Sequence, residues 1–176
     1  MKKLFYFFLL IFAIEACSSS SSYRQQLEQA ESIIEDNPDS AKVLLEKIPS
    51  SLLGEEDKAL YYLLLTMANY KLYQPFTNDS LIRSSIEYYK HNGNINRLAN
   101  AYYYCGAINY EELKEKEKSL LYLKRAEELA EKMKDELLKN KIYELLQGIN
   151  HASRNYQLSL HYSERLLESS LELNNM

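Results

Sequence analysis

The stretch Ala101-Tyr102-Tyr103-Tyr104-Cys105-Gly106-Ala107-Ile108-Asn109-Tyr110 carries no charge and no proline, and its pattern returns twice in the chain. Moving 40 residues back sets Tyr61, Leu65, Ala68, Asn69 and Tyr70 beneath Ala101, Cys105, Ile108, Asn109 and Tyr110. Moving 41 residues forward sets Ile142, Leu146, Ile149, Asn150 and His151 in the same places. The first three members of each set stand at i, i+4 and i+7, the spacing that lines one face of a helix. A helical unit that recurs at a fixed period implies a row of like units, each covering its neighbour's oily side.

The residues around this core extend the same reading. Only 4 Gly and 3 Pro punctuate 176 residues, too few for the many turns of a strand-rich fold. Asn37-Pro38-Asp39 joins a capping residue to a proline at the first helical position. Gln74-Pro75 stops one helix, Asn78-Asp79-Ser80 starts another, and His91-Asn92-Gly93 ends it, with His91 read as part of the cap. The pattern predicts an all-α chain of eight helices, near 24–36, 38–48, 55–73, 79–91, 95–113, 116–133, 136–153 and 156–173. Short connections between them imply antiparallel hairpins. An apolar share of 46% is enough for a packed body.

Residues 102–110 resemble the first helix of a tetratricopeptide repeat, in which an aromatic residue is followed by an apolar-glycine pair. Ser119-Leu120-Leu121-Tyr122-Leu123-Lys124-Arg125-Ala126 resembles the second helix, with small residues seven apart at Ser119 and Ala126. In the last pair Ser159 and Leu166 hold those places and Gln147 replaces the glycine; the first pair matches only in its Ala41/Ile48 spacing. The period of 40–41 is longer than the roughly 34 residues of the family. The resemblance covers about 120 residues of the 23–176 repeat domain. It implies a right-handed α-solenoid of about four antiparallel hairpins, with Gly106 and Ala126 permitting close approach of paired helices.

Before that domain, Met1 to Cys17 reads as an export signal. Lys2 and Lys3 provide the positive start, and Leu4 to Ile14 provides an apolar run too short to span a bilayer. Ile14-Glu15-Ala16-Cys17 resembles the lipobox of bacterial lipoproteins, although Glu15 departs from the usual small or apolar residue. By that resemblance residues 1–16 are a signal peptide, cleavage follows Ala16, and Cys17 carries acyl chains such as palmitate. Ser18 to Ser22 completes a polar tether over 17–22. Losing residues 1–16 removes two lysines and one glutamate and shifts the formal charge from -4 to -5. Acyl chains must then supply the attachment, because the net charge opposes an anionic surface. The same acidic balance argues against nucleic-acid partners.

Few residues invite chemistry. Cys105 lies on the apolar stripe and reads as a small core hydrophobe. His151 and His161 belong to different helices, and His161 with Glu164 supplies only two ligands, so no metal or other cofactor is expected. The run Glu111-Glu112-Leu113-Lys114-Glu115-Lys116-Glu117-Lys118 has the alternation of a solvated helix surface. No phosphate loop or nucleophile elbow occurs, and no enzymatic activity is expected. Tyrosine is the distinctive residue, 16 Tyr against no Trp. In tetratricopeptide proteins the first helices line a concave surface that holds peptides. By carry-over Tyr70, Lys71, Asn100, Tyr103, Tyr110, Lys141, Glu144 and His151 would face that groove, while most other tyrosine rings fill space between helices.

These readings converge on a lipoprotein scaffold of the bacterial envelope, anchored through acylated Cys17, facing the periplasm from the outer membrane, and holding a protein or peptide partner. A second reading is the N-terminal ligand-sensing half of a longer envelope regulator. A third, an envelope enzyme with a helical body, requires paired carboxylates in a cleft. Leu160, Leu167 and Leu171 leave an apolar edge on the last helix, where a repeat array ordinarily has a polar cap.

Overall fold

The computed structural model describes residues 22–174, so the expected leader, Cys17 and the tether up to Ser21 lie outside the described residues. The chain is all-helical over that span, with no strand among the described residues. Helix α1 covers 22–33; α2 runs Pro38–Glu46 and α3 Glu55–Lys71. They are followed by α4 Ser80–Asn92, α5 Ile95–Glu111, α6 Lys116–Met133, α7 Glu136–Ala152 and α8 Tyr156–Asn174. Two compact units divide after Tyr73.

The first unit holds α1 to α3. Its buried apolar groups include Leu27, Ala30 and Ile34, then Ala41, Leu45 and Ile48, and the α3 residues Leu60, Leu63, Leu64 and Ala68. Asn37 caps α2 by accepting from the Ser40 amide at 3.1 Å. The helix ends two residues earlier than expected. Pro49 disfavours helical backbone at Ile48, and a single 3-10 turn, Ser50–Leu52, follows. Arg24 ties α1 to α3 through Asp57 at 2.6 Å and Glu56 at 2.8 Å.

The second unit holds α4 to α8. Helix α5 packs against α4, α6 and α7, and α7 against α6 and α8. Lys124 of α6 donates to the Tyr162 hydroxyl of α8 at 2.9 Å, and Arg165 of α8 pairs with Glu131 of α6 at 2.6 Å. Alternate helices are therefore neighbours as well as consecutive ones. At residue 106 an added Cβ would stand 2.7 Å from Leu123 Cγ, so only glycine lets α5 lie this close to α6.

Structural detail recurs along with sequence in this unit. Asn94 and Asp135, 41 residues apart, cap α5 and α7 by accepting from the amides of Arg97 at 3.1 Å and Leu138 at 3.0 Å. Asn109 and Asn150 each donate their side-chain amide to the carbonyl four residues back, both at 2.7 Å. Both helices then leave through a left-handed residue, Lys114 at φ 60° and Arg154 at φ 59°. The α5 turn holds one more residue, for Glu115 N donates to Asn109 O whereas Asn155 N donates to Asn150 O. Both helices end two residues past their asparagine, at Glu111 and Ala152, so α5 stops two residues short of the expected 113.

Burial follows the alignment in α5 and α7 and departs from it in α3. Ala101, Cys105 and Ile108 are buried, as are Ile142, Leu146 and Ile149. In α3 only Ala68 is; Tyr61 and Leu65 remain partly exposed. The run 111–118 spans the last residue of α5, the α5–α6 turn and the first residues of α6, and none of its residues is fully buried. Lys118, in addition, points inward to a carboxylate.

Candidate functional site

Six of the eight expected groove residues occupy equivalent register positions on two contacting helices: Asn100, Tyr103 and Tyr110 on α5, and Lys141, Glu144 and His151 on α7. Their surroundings differ. Tyr103 keeps only 8% of its surface exposed and lies edge-on to Tyr104 with centroids 5.0 Å apart, the geometry of a packing ring. Asn100 returns its amide to the Asn96 carbonyl at 3.0 Å. Tyr110 and Lys141 are half-buried, while Glu144 and His151 face solvent, with His151 edge-on to Tyr156 at 5.7 Å. In the first unit Tyr70 is half-buried, and Lys71 pairs with Glu35 at 2.8 Å.

The most concentrated electrostatics lie elsewhere, around Asp79. Its position before α4 suggests a helix cap, yet the cap is supplied by Asn78, whose side-chain oxygen accepts from the Ser80 amide at 3.0 Å. The Asp79 carboxylate turns inward and is only 5% exposed. It accepts from Asn109 Nδ2 at 3.1 Å and pairs with Lys118 at 2.5 Å and Arg83 at 3.1 Å. Burial alone pushes this carboxyl up, but hydrogen bonds from Lys118 and Asn109, with the charges of Lys118 and Arg83, outweigh it and hold it below the ordinary carboxylate range.

Cys105 lies against the same carboxylate, its sulfur 4.0 Å from Asp79 Oδ2. Burial, and next the Asp79 charge, push its thiol up to about 12. It is therefore a thiol at neutral pH and a poor nucleophile. Tyr122 of α6 bonds to that sulfur and is itself pushed up to about 12, chiefly by burial. The arrangement fastens the start of α4 to α5 and α6. Sequence spacing gave little sign of it, because an Asp next to a helix start reads as a cap.

A second polar network joins α6, α7 and α8. The Tyr143 hydroxyl donates to Glu131 at 3.2 Å and accepts from Arg165 at 2.7 Å, with the Arg165 guanidinium 5.1 Å from the Tyr143 ring centroid. Lys124 pairs with the buried Glu127 and lies 5.5 Å from the Tyr162 ring centroid. Among the described residues no three His, Cys, Asp or Glu side chains gather to hold a metal ion. No helix among them is long and apolar enough to cross a membrane. No family model matches the chain, and no curated protein matches it.

Proposed function

We propose that this protein is a lipoprotein scaffold of the bacterial envelope, whose hairpins form a right-handed solenoid of the tetratricopeptide kind and hold a protein or peptide partner. The recurrence of cap, asparagine bond and left-handed exit between α5 and α7 supports the reading most directly. Repetition of such detail, beyond apolar pattern, is what stacked copies of one unit require. Contacts between alternate helices add to it, because a row of hairpins sets each first helix beside the next first helix. The signal-like start and Ile14-Glu15-Ala16-Cys17 support attachment through acylated Cys17 at the outer membrane, with the repeats in the periplasm.

In this reading the partner touches Glu144 and His151, the exposed members of the α7 set, and the edge of Tyr110. Tyr103 and Asn100 act behind them as packing groups. A photo-crosslinking residue placed at 144 or 151 in envelope preparations should capture the same adduct, and one placed at exposed Glu128 on α6 should not. Identical capture from all three positions would reject the groove. Cys17→Ser should abolish fatty-acid labelling and release the protein from the membrane fraction; continued labelling would reject the anchor.

A further inference from the structure

A cleft of about 440 Å³ opens between α4 and α6, lined by Arg83, Ser84, Glu87, Lys90, Tyr122 and Arg125 among others. None of the expected groove residues reaches it. Its floor is aromatic and layered: Arg125 lies 5.7 Å from the Tyr102 ring centroid, and Tyr102 stacks on Tyr122 at 6.1 Å and 27°. Among the described residues no carboxylate pairs with Arg125, although α6 carries four glutamates along its length. The ring therefore holds the guanidinium in place without consuming its N–H donors.

The other cations are shared thinly. Arg83 gives Nε to Asp79, a carboxylate that Lys118 also engages, and Lys90 pairs with Glu87, which His91 also approaches at 3.4 Å. Arg83, Lys90, Lys118 and Arg125 thus face two carboxylates, Asp79 and Glu87, a surplus of two positive charges on a chain whose net charge is -4. A partly enclosed positive cleft on an acidic protein concentrates anions locally.

We propose that the α4–α6 cleft binds an extended acidic peptide segment through Arg83, Lys90 and Arg125. Spacing favours a segment over a lone anion. Arg83 and Lys90 stand seven residues apart on one helix, about 10 Å along the axis at about 1.5 Å per residue. An extended peptide advances about 3.3 Å per residue with every second side chain on one face, so carboxylates four residues apart, about 13 Å, lie on one side and within reach of the two long cationic side chains. Arg125 offers a planar, two-pronged donor for one carboxylate, and the Tyr122 ring and Ile86 give the backbone between them an apolar bed. Glu87 narrows the choice, repelling a third acidic group between the two.

The test is fluorescence anisotropy with the full-length chain in detergent and a fluorescein-labelled peptide bearing two glutamates four residues apart. Saturable binding that weakens with salt is expected, with the diglutamine peptide at least about tenfold weaker. Arg125→Gln and Lys90→Gln should each weaken binding about tenfold while circular dichroism keeps the helical signal. Arg154→Gln, in the α7–α8 turn, should leave it unchanged. Three results would each overturn the proposal: equal binding of both peptides, equal loss from Arg154→Gln, or displacement by inorganic phosphate at the concentration of the peptide. The proposal and the groove on α5 and α7 fail separately, because crosslinks at 144 and 151 do not depend on Arg125.

Discussion

Helices α5 and α8 are close in length, 17 and 19 residues, and opposite in how they meet the rest of the second unit. In α5 every residue from 101 to 109 is buried, and α4, α6 and α7 all pack on it. Among the described residues of α8 only Ser159, Tyr162 and Ser169 are buried, all on one side, while Leu160, Leu167 and Leu171 are 61%, 62% and 54% exposed. A helix apolar all round has partners all round, and one apolar stripe matches one packed face. Leucine on α8 therefore contributes to the surface, and tyrosine on α5 to the core. Residue type alone would rank them the other way.

The largest effect that could break this contrast is at Tyr104, 1% exposed in the middle of α5. Tyr104→Ala should cost about 3–5 kcal/mol in urea unfolding, as truncation of a buried aromatic does. A loss near that of a surface change would mean α5 is not central. Next in size is an alkaline limit to which the buried helix contributes through Cys105. The Cys105 thiol is raised from an ordinary 9.0 to about 12, so its contribution is intact below pH 9 and is lost as pH rises toward 12. On the order of 3–4 kcal/mol is at stake, at about 1.4 kcal/mol per unit. Cys105→Ala should flatten the fall in urea midpoint between pH 9 and 11; an unchanged slope would assign it to Tyr122 and Tyr143, which titrate in the same range.

Two glycines sharpen the comparison with opposite signs. Gly106→Ala sets a methyl 2.7 Å from Leu123 Cγ, and Leu123 is itself fully buried, so a loss of about 1–3 kcal/mol is expected. At Gly148 in α7 a Cβ meets nothing within 4 Å, and Gly148→Ala should raise stability by about 0.5–1 kcal/mol through helix propensity. Thermal melts of the two variants should move in opposite directions, and a common direction would contradict the close approach at 106. The smallest effect belongs to α8. Leu160→Ser with Leu167→Ser should shift unfolding by no more than about 0.5 kcal/mol per site. A larger loss would show those leucines covered in solution.

Helix number and order, the cap at Asn37, and the pairing of 101–109 with 142–150 were legible in the sequence, whereas the matching caps at Asn94 and Asp135 emerged from the structure. They depend on local rules, the period of apolar residues and the backbone needs of helix ends. The eight-residue groove set was less legible. A repeat register places Tyr103 and Glu144 alike, yet one is covered and the other open, because exposure depends on which helices lie above them.

What this sequence determined by itself is an all-helical chain in which the α5 pattern returns in α7, since period, capping residues and scarce Gly and Pro act within a turn or two of where they stand. Only the tertiary structure decided that Asp79 turns inward to Asn109 and Lys118 instead of capping its own helix, and that Arg83, Lys90 and Arg125 share one cleft. Those groups are up to about forty residues apart, and their free energy comes from burial and from charge at close range. Neither exists until helices far apart in the chain have packed.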